Sequence, residues 1–197
     1  DEKLGFSITK IILEGPSDEL QLTKNTQPAI LTVSYSIFKT LKEEFNFDFK
    51  SFKYFSGHSL GEYSALVSSG ALNFEDAVYL LHERGKAMQN AVPVGAGAML
   101  AVLGLKTGEV NDFIEKEKNK IDICEIANDN ASGQVIISGN KKSIEIIQNS
   151  LKEQKIKTIP LKVSAPFHCS LMKKAAEEMR EKINNTLFKK STFEIIN

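Results

Sequence analysis

Gly57-His58-Ser59-Leu60-Gly61 follows a short apolar run, Phe52–Phe55, and leads into a helical pattern from Leu60 to Ser69. In a strand–turn–helix setting, a G-x-S-x-G pentapeptide places its serine on a sharp elbow, hydroxyl exposed, with a helix N-terminus behind it. The flanking glycines are expected where neighbouring backbone crowds a strained turn and a Cβ would clash. Ser59 is therefore the leading candidate for a covalent acyl carrier.

Upstream of the elbow, Gln27-Pro28 reads as a helix opening, since proline suits the first helical position. Ala29, Val33, Ile37, Leu41 and Phe45 recur every four residues and predict a buried stripe. The segment before it is looser, with Gly15-Pro16 as a turn signal. Downstream, Gly70 marks the end of the elbow helix, and Asn73 is placed to cap a helix from Phe74 to about Ala91.

Beyond Val94-Gly95-Ala96-Gly97 the texture changes. Strands are predicted over 98–103, 121–127, 135–137 and 157–163, the last broken by Pro160. Helices are predicted over 107–118 and 141–154, and Asn128 to Gly133 reads as a turn cluster. The order β-α-β-β-α-β is that of a ferredoxin-like lobe. The expected fold is α/β, with this lobe at 96–164 inserted into a larger domain formed by 1–95 and 165–197. Ser164 to His168 reads as a loop. Ser170 is placed to cap a last helix from Leu171 to about Asn185, before a closing strand at Phe193–Ile196.

Composition sets the outer limits. The 197 residues are 42% hydrophobic, enough to fold around a core. Twenty-five basic residues balance 25 acidic ones, so no basic surplus points to nucleic acid or an anionic membrane. Apolar stretches are broken by charge too soon to span a bilayer. The two cysteines, Cys124 and Cys169, are too few for a disulfide framework and read as small core thiols in a cytoplasmic protein. The three histidines lie far apart and no C-x-x-C occurs, so no metal site is expected.

A serine hydroxyl needs a base to take its proton. His58 adjoins Ser59 on the incoming strand, where consecutive side chains point to opposite faces, so it reads as a packing or hydrogen-bonding residue. His82 lies off the apolar stripe of its helix and reads as a solvated surface histidine. His168, at a loop–helix junction past the lobe, is left as the candidate base. No acid in the interval between Ser59 and His168 stands out as a third member, and a dyad oriented by a backbone carbonyl is equally compatible. The Leu60 amide, just after the nucleophile, is a candidate oxyanion donor. Arg84 sits beside Leu80, Leu81, Ala87 and Met88 at one-turn spacing, on or near an apolar face. A guanidinium there needs an anion. Either it pairs internally, for example with Glu62 or Glu83, or it awaits a substrate carboxylate.

Four ordered motifs then carry a resemblance: Gly57-His58-Ser59-Leu60-Gly61-Glu62-Tyr63-Ser64-Ala65-Leu66, Arg84-Gly85-Lys86-Ala87-Met88-Gln89, the stretch from Asn128 to Gly139, and Ala165-Pro166-Phe167-His168-Cys169. Together with Glu14-Gly15-Pro16 through Thr26-Gln27-Pro28-Ala29, they resemble the malonyl-CoA:acyl carrier protein transacylases over nearly the whole chain. The resemblance implies an α/β-hydrolase-like core carrying the ferredoxin-like lobe. It implies Ser59 as nucleophile, His168 as base, Arg84 as clamp on the malonyl carboxylate and Leu60 as one oxyanion amide. Gln27, Met88 and Asn130 fall at positions that line or support the pocket, and Phe167 at the bulky position that disfavours a 2-methyl group. No metal or bound cofactor is implied. Malonyl-CoA is the substrate and acyl carrier protein the partner, in fatty acid synthesis, with the enzyme a cytoplasmic monomer.

The family's opening Gly-Gln-Gly-Ser-Gln motif, source of a second oxyanion amide, has no counterpart here. The family also continues past the position of Asn197. The chain is accordingly expected to be the middle of a transacylase, and an absent oxyanion donor costs about 10²–10³ in rate. A serine esterase or thioesterase, and a non-catalytic fragment, are the rival expectations.

Overall fold

The computed structural model describes residues 1–163 and 165–196. The fold is α/β, and the chain divides into two compact units, Asp1–Lys86 with Glu178–Asn197, and Ala87–Glu177.

After a 3₁₀ turn at Glu2–Leu4, the first unit continues with α1 (Ile8–Glu14), capped by the Ser7 hydroxyl, and α2 (Ser17–Gln21). The segment read as loose is thus two short helices, separated at Gly15, whose φ of 80° suits a residue without a Cβ. Next comes α3 (Thr23–Glu43), which begins five residues before the proline expected to open it. Pro28 stands inside this helix and has no N–H for the Lys24 carbonyl one turn back. His82 Nδ1–H donates to that carbonyl instead, at 2.9 Å. The orphaned acceptor is satisfied, so the helix tolerates its proline. His82 is therefore not the solvated histidine expected; it is half-buried, with its ring 5.2 Å from that of Phe6.

The predicted stripe on α3 is corrected as well. Ala29 is buried, but Val33, Ile37, Leu41 and Phe45 are 45%, 57%, 37% and 71% exposed. The residues from Val33 to Leu41 border a groove of about 400 Å³ whose other wall is Ile12 and Leu13 of α1. Helix α3 buries its N-terminal end, around Gln27, Pro28 and Leu31.

The elbow strand is β1 (Tyr54–Ser56), followed by α4 (Gly61–Ser68) and α5 (Phe74–Asn90). Gly70, at φ 78°, ends α4, and the Asn73 side chain accepts the Glu75 N–H at the start of α5.

The second unit is built on β2 (Gly97–Leu103), α6 (Thr107–Glu117), β3 (Cys124–Ala131), β4 (Gln134–Asn140), α7 (Lys141–Glu153) and β5 (Lys157–Pro160). Its sheet has the order β3-β4-β2-β5, with every neighbouring pair antiparallel. Val102 stands opposite Val135 and Leu100 opposite Ile137. These four pack with Val110 and Ile114 of α6 and Ile144, Ile147 and Leu151 of α7 in one core. With side chains alternating across the sheet, Met99, Ala101 and Ile136 form a smaller cluster with Leu161 and Phe167 against it.

The turn cluster expected at Asn128–Gly133 is mostly strand. β3 continues to Ala131 through two register shifts, and only Ser132-Gly133 turn, with Gly133 at φ 78°. Extra residues accommodated as bulges let the polar run stay paired with β4. Of the loop predicted from Ser164 to His168, Ser164 lies outside the described residues. Ser170 does not cap a helix with its side chain; it opens a single 3₁₀ turn, and α8 (Lys173–Asn184) follows. The chain closes with β6 (Glu194–Ile196), which pairs parallel with β1 in the first unit.

Candidate active site

Ser59 stands between β1 and α4 with φ 54°, in the left-handed region that a residue with a Cβ seldom adopts. Such strain persists where the surroundings hold it, and it marks functional turns. The two glycines have different roles. A Cβ on Gly57 would lie 1.9 Å from the Gly61 carbonyl oxygen, whereas one on Gly61 would meet nothing within 4 Å. The expected crowding thus applies to Gly57 alone. The Gly61, Glu62 and Tyr63 amides donate to the His58, Ser59 and Leu60 carbonyls and close the turn behind the serine. Among the described residues, no acceptor takes the Leu60 N–H. The amide just after Ser59 is thereby left available.

Arg84 comes to the serine from α5. Its Nη2 donates to Ser59 Oγ at 3.2 Å, and Nη1 donates to Gln27 Oε1 at 2.5 Å. Gln27 is buried on α3, and its own Nε2 donates to Thr23 Oγ1 at 2.9 Å. A chain Thr23–Gln27–Arg84–Ser59 therefore fixes the guanidinium. The approach of α5 to α3 depends on Gly85, where a Cβ would stand 2.5 Å from the Lys24 Cα. Of the two internal acids considered, Glu83 pairs with Lys86 and Lys182, at 2.8 and 2.9 Å. Among the described residues, Arg84 has no carboxylate within salt-bridge distance. Burial pulls its pKa down, against the opposing fields of Tyr63 and Glu62. Burial likewise pushes the Tyr63 phenol up, while Arg84 draws it down. A half-buried cation held by two neutral oxygens has a strong preference for an incoming anion.

The remaining sequence-predicted residues belong to the second unit. His168 is exposed on its loop and has φ 59°, again left-handed. Phe167 packs against the Met99–Ala101–Ile136 cluster. Asn130 is exposed near the end of β3, and Met88 is buried on α5, one turn past Arg84. Burial raises the pKa of the Cys169 thiol, so proximity in sequence to His168 does not make it an activated nucleophile. Among the described residues, no cluster of His, Cys, Asp or Glu could hold a metal ion, and no helix is long and apolar enough to cross a membrane.

Across residues 1–197 the chain matches the family model described as acyl transferase domain. The chain belongs to this family. Within it, the malonyl CoA-acyl carrier protein transacylase of Bacillus subtilis (strain 168) is 45% identical over 183 residues, covering 92% of this chain and 56% of that protein. A solved acyl-carrier-protein-S-malonyltransferase from Bartonella henselae superposes with a TM-score of 0.94 at 38% identity, covering all of this chain and 62% of the other. A second solved relative is a malonyl-transacylase in complex with its type II PKS acyl-carrier protein, with TM-score 0.93 and 36% identity over the whole of this chain and 62% of that one. The chain thus spans roughly three-fifths of the length of the relatives it matches.

Sequence reasoning missed Thr23, Gly85 and His82 as supports of the Gln27–Arg84 arrangement. A glycine beside the arginine was a usable signal for a close helix approach. Thr23 and His82 carried none, because their partners are 4 and 58 positions away across a turn and a fold.

Proposed function

We propose that this chain carries the acyl-transfer site of a malonyl-CoA:acyl carrier protein transacylase. The observation that carries the reading is Arg84, half-buried, held by Gln27, and 3.2 Å from the Ser59 hydroxyl. A nucleophile beside a guanidinium suits a thioester whose acyl group ends in a free carboxylate.

In this reaction Arg84 pairs with the malonyl carboxylate and His168 takes the Ser59 proton. Ser59 Oγ attacks the thioester carbonyl, whose developing oxyanion is met by the Leu60 amide. The C–S bond breaks, the coenzyme A thiolate leaves with the proton held by His168, and a malonyl-serine ester remains. The phosphopantetheine thiol of the carrier then gives its proton to His168 and attacks the ester. The C–O bond breaks and the proton returns to Ser59. Gln27 orients Arg84; by the family resemblance Met88 and Asn130 fall at positions that line or support the pocket, and Phe167 at the bulky position that opposes a 2-methyl group. Every step uses only the chain's own groups, the thioester and the carrier's thiol.

The fold reading that accompanies this is an α/β-hydrolase-like core, 1–95 and 165–197, with a ferredoxin-like lobe at 96–164. Its support is the strand–elbow–helix around Ser59, the parallel pairing of β1 with β6, and the βαββαβ order from Gly97 to Pro160. Two free cysteines fit a cytoplasmic setting.

Intact-mass measurement after exposure to malonyl-CoA tests the reading. A malonyl increment is expected on the protein, absent in Ser59→Ala, and passed to acyl carrier protein on its addition. Arg84→Ala is expected to lower malonyl relative to acetyl loading by about 10- to 100-fold, the loss of one charge-assisted hydrogen-bonded pair. Loading that survives Ser59→Ala overturns the nucleophile assignment. Rapid hydrolysis of malonyl-CoA without carrier loading would make the protein a thioesterase instead.

A further inference from the structure

We propose that Glu125 is a positioning residue for the loop that presents His168, an inference that rests on the acyl-transfer reading above. Glu125 lies on β3, and its two carboxylate oxygens accept the Ser170 N–H at 2.7 Å and the Ser170 hydroxyl at 2.5 Å. Ser170 is two residues past His168, so this bidentate contact holds the loop immediately downstream of the imidazole.

The rest of the loop is held differently. Pro166 is fully buried against Gly97, where a Cβ would stand 2.2 Å from the proline ring. Phe167 packs on the Met99–Ala101–Ile136 cluster. Cys169 Sγ accepts from Ser138 Oγ at 3.6 Å and donates to the Pro166 carbonyl at 3.2 Å. These are apolar contacts and weak thiol bonds. The Glu125–Ser170 pair is the charge-assisted member of the set, and such bonds are the stronger and more directional ones.

His168 needs such a clamp. Its φ of 59° is disfavoured for a residue with a Cβ, and such a conformation persists only where the surrounding structure holds it. Proton transfer requires the ring within hydrogen-bond reach of the nucleophile. A loop free to relax spends part of its time out of register, which lowers turnover without touching substrate binding. The carboxylate also sits where the 3₁₀ turn leading into α8 begins. A purely structural cap would serve the helix there and leave the imidazole unaffected.

The two roles separate by NMR of histidine ring signals, assigned through His168→Asn, combined with kinetics. In Glu125→Ala, the His168 resonance is expected to shift or broaden while those of His58 and His82 stay in place. Turnover should fall about tenfold with KM unchanged. Glu125→Gln keeps one acceptor oxygen and is expected to give the same change at smaller amplitude; it carries the test if the alanine variant does not fold. An unmoved His168 signal in the folded variants overturns the proposal. So does movement of all three histidine signals together, which would mark general loosening. If the wild-type protein accepts no acyl group, the acyl-transfer reading fails on that result, while the ring signals still decide the role of Glu125.

Discussion

Helices α3 and α7 both carry apolar residues at one-turn spacing, and only the stripe on α7 is buried along its length. On α7, Ile144, Ile147 and Leu151 are 4%, 0% and 0% exposed, closed over by the sheet residues Leu100, Val102, Val135 and Ile137. On α3, Val33, Ile37 and Leu41 are 45%, 57% and 37% exposed and share an open groove with α1. The difference lies in the cover. A stripe reports that a helix has an apolar face; whether that face is dry depends on a second element with matching shape. In the second unit the sheet and both helices come from one continuous run of chain.

The contrast is sharpest in stability. Ile147→Ala is expected to cost about 2–5 kcal/mol, the range for emptying a buried aliphatic position. Ile37→Ala should stay within about 0.5 kcal/mol, as at an exposed site. Urea unfolding measures both. Labelling of Cys124, whose thiol burial pushes up to about 12, gives a second readout. Its alkylation should accelerate in Ile147→Ala and not in Ile37→Ala. Comparable losses at the two positions would mean that the α3 stripe is covered in solution.

The same logic applies to the paired glycines of the elbow. Gly57→Ala should destabilise by about 1–3 kcal/mol, as overpacking does, and reduce acylation of Ser59. Gly61→Ala, pointing into open space at the start of α4, should be neutral or slightly stabilising. A reversed order would show that the serine's turn relaxes around position 57.

The smallest expected effect concerns charge. Burial alone would raise the Glu83 pKa, but its bonds to Lys86 and Lys182 outweigh that and hold it below the ordinary value of 4.5. A depressed carboxylate contributes stability above its unfolded pKa and loses it as pH falls through the folded one. Glu83→Gln should therefore cost a few tenths to about 1 kcal/mol near neutrality. That difference from wild type should vanish in acid. A Glu83→Gln difference from wild type that persists unchanged into acid would remove the ion pairs with Lys86 and Lys182 as its source.

Local patterns were legible where their physics is local. The βαββαβ order, the Gly70 stop and the Asn73 cap depend on side-chain alternation, a positive φ and a bond two residues long. The polar run Asn128-Asp129-Asn130 misled because it reads as a turn, whereas backbone pairing with β4 and two register shifts keep it in the sheet. Pro28 misled for a similar reason: its cost inside a helix is relieved by a histidine 54 positions away in the chain.

Residue order alone pointed to a serine at a strand–helix turn and to an arginine beside an apolar helix face, because those inferences require only neighbours within a helical turn. It was the tertiary structure that brought Gln27 and Arg84 to Ser59 and Glu125 to Ser170. It also assigned the crowding to Gly57 rather than Gly61, and left one of two like stripes uncovered. Hydrogen-bond geometry and van der Waals exclusion act over about 3–4 Å of space, and distance along the chain says nothing about which distant groups arrive within it.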